Sequence, residues 1–206
     1  MTTDVHVWLD PSCPWAWQTM KWLLDLQRAG EIRMTYDTFS LEVNAWHVDM
    51  PYAEAAPTYG EALAALTLAK RESGDRSFEA LYVALGQRLH DRREPMEPGL
   101  LAEAAGASGL DSALVTRASG PLFDELGDEV MTSWRAARDA DVFGVPALRI
   151  GADKVIYGPI LAVGPTGEDG IALWHQVKGL ADRGVFFELK RWPRDVRTGG
   201  APTGAS

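Results

Sequence analysis

The chain has 206 residues, a length that suits one large domain or one domain carrying an insertion, and argues against two independent full-size domains. With 46% hydrophobic and 24% charged residues it has the composition of an ordinary folded protein, which excludes global disorder and collagen-like architecture. A formal net charge of −9 opposes phosphate backbones and anionic lipid, so neither nucleic acid nor a membrane surface is an expected partner.

The run Val5-His6-Val7-Trp8-Leu9 is β-branched and aromatic and stops at Asp10-Pro11, which predicts a short buried strand ended by a turn. A helix follows at once: Pro14 suits a first helical position, Trp15, Trp17, Met20, Leu23, Leu24 and Leu26 supply apolar positions, and Gly30 ends it. Ile32 to Leu41 alternates over Ile32, Met34, Tyr36 and Thr38 and predicts a second strand, with residues 44–52 looping over the cleft beyond it. From residue 58 to 140 the chain turns to alanine, leucine and charge. Phe78, Leu81, Tyr82, Leu85 and Leu89 mark one face of an amphipathic helix, and further helices are predicted at about 59–73, 99–106, 111–117 and 121–138. Val145 to Ile150, the turn Gly151-Ala152-Asp153 and Lys154 to Tyr157 predict a hairpin, followed by a helix over 168–183. Residues 194–206 lack periodicity and are expected to be disordered. The fold class is therefore α/β: β-α-β and β-β-α halves over residues 1–57 and 141–193, separated by an all-helical insertion at 58–140.

Cys13 is the sole cysteine, so an intrachain disulfide and a multi-cysteine metal site are both excluded. The N-terminal residues show no basic segment followed by an apolar run, and no stretch approaches the ~18 apolar residues of a membrane span. A reducing, cytoplasmic setting is the expectation. A cysteine at a helix N-terminus faces unpaired backbone N–H groups and the positive end of the helix dipole, which predicts a depressed pKa and a reactive thiolate. The competing expectation is a small buried apolar residue.

This element order resembles the thioredoxin superfamily in its DsbA-like branch. More closely, Asp10-Pro11-Ser12-Cys13-Pro14-Trp15-Ala16-Trp17, Leu85-Gly86-Gln87-Arg88-Leu89-His90 and Phe186-Phe187-Glu188-Leu189-Lys190-Arg191 are similar to the actinobacterial mycothiol-dependent nitroreductases. The resemblance runs from about residue 4 to 194 and implies a thiol oxidoreductase with Cys13, Pro14 and Trp15 as its catalytic motif. It implies mycothiol as thiol cosubstrate and nitroaromatic or quinone-like acceptors. It also makes Pro146 the counterpart of the superfamily's cis-proline, with the Val145 backbone pairing an extended thiol substrate. Asn44 resembles a position near the substrate.

Ala16 departs from the related dithiol motif, replacing a second cysteine three residues after the first. A monothiol cycle remains open, in which a small thiol resolves the mixed disulfide. Loss of redox function, leaving a binding protein, and an engineered Cys→Ala substitution remain open as well. Trp15 and Trp17 diverge by about 200° on a helix, so Trp15 is assigned to the cleft and Trp17 and Trp22 to the core. Asn44, Trp46, His47 and Tyr52 fall in the stretch over the cleft, and Asn44, Tyr52 and His90 complete the substrate-site candidates. For His90 a capping role competes with proton transfer or anion binding.

His6, His47, His90 and His175 have no metal-ligand spacing, and neither a flavin nor a nicotinamide motif is visible. The rival function classes are an enzyme of the kappa-class glutathione transferase type, which activates a bound thiol, and a non-catalytic binding module. A homodimer through the helical insertion or the tryptophan-rich surface is compatible with the sequence, without an assignable interface.

Overall fold

The computed structural model describes residues 2–46, 50–185, 187, 188 and 190. Strand β1 (Thr3–Leu9), helix α1 (Pro14–Arg28) and strand β2 (Ile32–Thr38) come first, and the hairpin β3 (Ala147–Ile150) and β4 (Lys154–Tyr157) leads into α9 (Gly167–Ala181). Between the halves lie α2 (Leu41–Trp46), α3 (Tyr52–Ala55), α4 (Gly60–Ser73), α5 (Asp75–Gly86), a π-helical turn (Gln87–Asp91), α6 (Pro98–Ala107), α7 (Ala113–Ala118) and α8 (Phe123–Asp139). The sheet runs β2-β1-β3-β4, with β1 parallel to β2 and the other two pairings antiparallel. This is a thioredoxin fold with helices inserted between its halves.

Helix α1 starts where proline is tolerated and no intrahelical N–H is lost, and Arg28 in its last turn complements the negative dipole end. Its apolar stripe buries Trp17, Met20, Trp22, Leu23 and Leu26. Gly30 then takes φ +79, a left-handed conformation that a side chain would strain, and turns the chain into β2. The register sets Val5 beside Met34 and Ile150, and Val7 beside Tyr36 and Leu148, so these strands contribute one continuous apolar layer. Tyr36 stacks on Phe78 of α5 at 5.2 Å, Phe78 on Tyr82 at 6.3 Å, and Tyr82 meets Trp17 at 6.4 Å. That aromatic column carries the core from β2 through α5 to the first turns of α1. On another side Trp22 packs edge-on against Trp174 of α9 at 6.1 Å and donates to Gly170 O at 2.9 Å.

Several boundaries differ from expectation. Strand β2 ends at Thr38, and the following stretch, expected to loop over the cleft, begins instead as α2. The cause is capping: the Ser40 hydroxyl accepts the N–H of Val43 at 3.2 Å, and the distant Asp10 carboxylate accepts that of Leu41 at 2.6 Å. Helical chain therefore starts at residue 41, before the insertion boundary expected at 58. The helix anticipated through Leu89 loosens into the π-helical turn after Gly86. His47, the last motif's Phe186, Leu189 and Arg191, and the tail 194–206 lie outside the described residues. Among the described residues no helix is long and apolar enough to cross a membrane.

Candidate active site

Cys13 is the N-cap of α1, with extended backbone angles of φ −88 and ψ 109. Its Sγ accepts the N–H of Ala16 at 3.4 Å and donates to Val145 O at 3.5 Å. The Val145–Pro146 peptide is cis. The two halves of the fold thus meet at the sulfur, which is tied to its own helix on one side and to the loop before β3 on the other. Ala16, in the position of a resolving cysteine, is fully buried. A second cis peptide, Gly158–Pro159, abuts the same helix, where Thr19 Oγ1 donates to Pro159 O at 2.7 Å.

A cavity of about 310 Å³ opens beside this turn, walled by Ser12 and Pro14 on either side of Cys13 and by Trp15, Gln18, Tyr59, His90, Arg93 and Met96. It offers an indole ring, donors, acceptors and both signs of charge, a lining that suits a small polar molecule with a flat or apolar part. Cys13 itself is only 6% exposed. His90 comes from the π-helical turn, and its Nε2 lies 2.9 Å from Pro11 O. A carbonyl only accepts, so Nε2 carries the proton and Nδ1 is left as an acceptor. Burial lowers the His90 pKa, so the ring is neutral at pH 7.

The turn holding His90 is locked to α1. Asp91 accepts Trp17 Nε1 at 2.9 Å and Lys21 Nζ at 3.0 Å, while Arg88 is drawn off to Glu94 and Glu103 at 2.6 and 2.5 Å. On the opposite side of the sulfur, Asn44 Nδ2 donates to Phe143 O at 3.2 Å and so braces α2 against the segment leading to Val145.

The expected depression of the Cys13 pKa is corrected by the surroundings of the thiol. Burial pushes it up and the nearby Asp10 pushes the same way, against the N–H groups of Ala16 and Trp15, which favour the thiolate. The helix-end contribution is present and is outweighed. At neutral pH Cys13 is a thiol that donates to Val145 O.

Of the residues singled out in the sequence, Cys13, Val145 and Pro146 are brought together at the sulfur, Pro14, Trp15 and His90 line the adjoining cavity, and Asn44 supports the loop. Trp17 and Trp22 are core, as expected. Tyr52 is a correction. It is buried, its hydroxyl donates to Gly60 O at 2.9 Å, and its ring fills the notch over Gly127 and packs on Phe123 at 5.5 Å. A face of α8 that only glycine leaves open captures it, so it does not reach the cavity. Sequence reasoning missed Gln18, Tyr59, Tyr82 and Asp10. Only Asp10 carried a signal: an aspartate ending a strand, two residues before a free N–H, forms an Asx-turn, here with Ser12 N at 2.7 Å.

Comparisons with known proteins bear on this geometry. The chain is 27% identical to the uncharacterised protein Rv2286c of Mycobacterium tuberculosis over 203 residues, covering 95% of this chain and 84% of that one. Among solved structures, it is similar to a probable DsbA oxidoreductase, SCO1869 from Streptomyces coelicolor, with TM-score 0.60, 19% identity and 92% and 93% of the two chains covered. It is also similar to the cytosolic disulfide reductase DsbM from Pseudomonas aeruginosa, solved with GSH, with TM-score 0.57, 16% identity and 85% and 99% covered. At such identities the structures establish the fold alone. The family model described as mycothiol-dependent nitroreductase Rv2466c matches residues 12–191, which span the cysteine turn, the π-helical turn and the cis-proline loop, and on that match this chain belongs to the Rv2466c-like family.

Proposed function

We propose that the protein is a monothiol reductase in which Cys13 is the nucleophile and a low-molecular-weight thiol, mycothiol, completes each turnover. The observation that carries the reading is the placement of the only sulfur of a cysteine at the N-cap of α1 against a cis Val145–Pro146 peptide, with a buried Ala16 where a resolving cysteine would stand. Ionised Cys13 attacks one sulfur of a disulfide R–S–S–R′, forming Cys13–S–S–R and releasing R′S⁻. The small thiolate then attacks the R sulfur, forms its own disulfide with R and returns Cys13 as thiolate. A second small thiol frees R, so both electrons come from two small thiols. The amides of Ala16 and Trp15 favour the departing Cys13 thiolate.

Trp15 supplies the flat wall on which an aromatic or electrophilic acceptor, nitro compounds included, would stack, and His90 Nδ1 supplies an acceptor for a cosubstrate proton. A cytoplasmic setting, where small thiols are kept reduced, belongs to the same reading. The buried resting thiol favours one rival, in which the protein activates a bound thiol without forming a bond to it. Incubation with mycothiol disulfide followed by intact-mass measurement separates them. We expect a single adduct of one mycothiol, located on Cys13 and removed by excess mycothiol. Turnover without any such adduct overturns the monothiol cycle in favour of cosubstrate activation.

A further inference from the structure

Beneath Cys13 lies a buried acid that the cycle above does not use. Asp10 is fully shielded from solvent. Its Oδ1 accepts Ser12 N–H at 2.7 Å, its Oδ2 accepts Leu41 N–H at 2.6 Å, and its carbonyl accepts Cys13 N–H at 3.1 Å. One residue therefore joins the end of β1, the cysteine turn and the start of α2. The titratable groups acting on or feeling Asp10 are Glu42, Tyr52, Tyr59, Tyr82 and Cys13, and none of them is a cation. A second observation lies on α5. The Tyr82 hydroxyl is buried without a hydrogen-bond partner among the described residues, and it feels both Asp10 and Cys13. The surroundings of Asp10 under the sulfur are thus buried and polar, and the groups coupled to it there are acids and phenols.

Two acids so deeply buried cannot both ionise cheaply, because burial weakens the screening that solvent gives at the surface. We propose that Asp10 is a positioning residue for Cys13 that also governs its ionisation: its carboxylate holds the turn presenting the sulfur, and the two buried acids share a single negative charge. Their titrations belong to the pair. While Asp10 carries the charge, Cys13 stays a thiol donating to Val145 O; the thiolate forms readily when Asp10 is neutral. Burial raises the pKa of both groups, against the N–H groups that favour their charged forms. The inference rests on Cys13 being the reacting group.

The test reads ionisation without any cosubstrate, so its outcome is independent of whether mycothiol turns the enzyme over. Alkylation of Cys13 by iodoacetamide is followed by intact mass from pH 5 to 10 in the wild type and in Asp10→Asn, which keeps the shape and removes the charge. We expect the Asp10→Asn profile to move down by about one pH unit, a roughly tenfold faster reaction at pH 7. An unmoved profile in folded Asp10→Asn leaves Asp10 as a clamp only and overturns the proposal. Because the amide satisfies only one of the two N–H donors and can unfold the chain, carboxyl carbon NMR of Asp10 is compared in wild type and Cys13→Ser. A second inflection of the Asp10 signal in the wild type, absent from Cys13→Ser, supports the shared charge. Identical Asp10 titrations in both overturn it.

Discussion

Cys13→Ser is expected to lower thiol-dependent kcat/KM by about a thousandfold or more, corresponding to about 4 kcal/mol of barrier. The substitution isolates chemistry from architecture. Serine is among the favoured N-cap residues, and a hydroxyl in the place of Sγ can accept the Ala16 N–H and donate to Val145 O as the thiol does. Thermal unfolding of Cys13→Ser should therefore occur no lower than in the wild type, and the lost activity cannot then be assigned to a lost fold. Steady-state kinetics with mycothiol and a disulfide or nitroaromatic acceptor reads the effect. Retention of full turnover would mean that the cavity beside Trp15 and His90 activates the small thiol directly, with Cys13 serving as a capping residue.

What is legible in the sequence depends on the range of the interactions involved. Strands β1 and β2, helix α1 and the closing hairpin are legible because their determinants are local: alternation over Ile32, Met34 and Tyr36, proline at the start of α1, and a glycine turn before β4. Helix α2 is not legible in that way, since one of the two side-chain oxygens capping its start belongs to Asp10, 31 residues earlier. Position after β2 points Tyr52 to the cleft. Its actual place depends on Gly127, where an added Cβ would lie 2.4 Å from the ring, and no local pattern records that fit.

The ionisation of Cys13 shows the same division in its energetics. The helix N-terminus is written in Ser12-Cys13-Pro14 and acts as expected, through the Ala16 and Trp15 amides. Burial under the Val145 loop arises only when both halves of the fold close over the turn, and together with the nearby Asp10 it prevails. The cis state of Val145–Pro146 is expected from the family resemblance alone, because most X-Pro bonds in folded proteins are trans. His90 is recognisable as a candidate by motif, whereas its neutral state and its bond to Pro11 O depend on the π-helical turn.

The largest effect on stability is expected at Trp17, which couples the π-helical turn to α1. Its side chain is 2% exposed, its Nε1 donates to Asp91 at 2.9 Å, and its ring lies flush against Gly86, where an added Cβ would stand 2.2 Å from Cε3. Trp17→Ala removes the largest side chain at this contact and leaves a cavity between α1 and α5, at a cost of about 3–5 kcal/mol. Gly86→Ala forces the ring to shift and costs about 1–3 kcal/mol by overpacking. The two sites share one space, so the pair should be strongly non-additive: in the Trp17→Ala background the methyl added by Gly86→Ala fills part of the void, and its cost falls to near zero or reverses. Urea unfolding of the four proteins at pH 7 measures the coupling. Strict additivity would show that the ring and the glycine do not oppose each other. The same cycle, read in kinetics, addresses function: Asp91 and His90 lie on one π-helical turn, so loosening Trp17 should raise KM for the small thiol before the fold itself is lost.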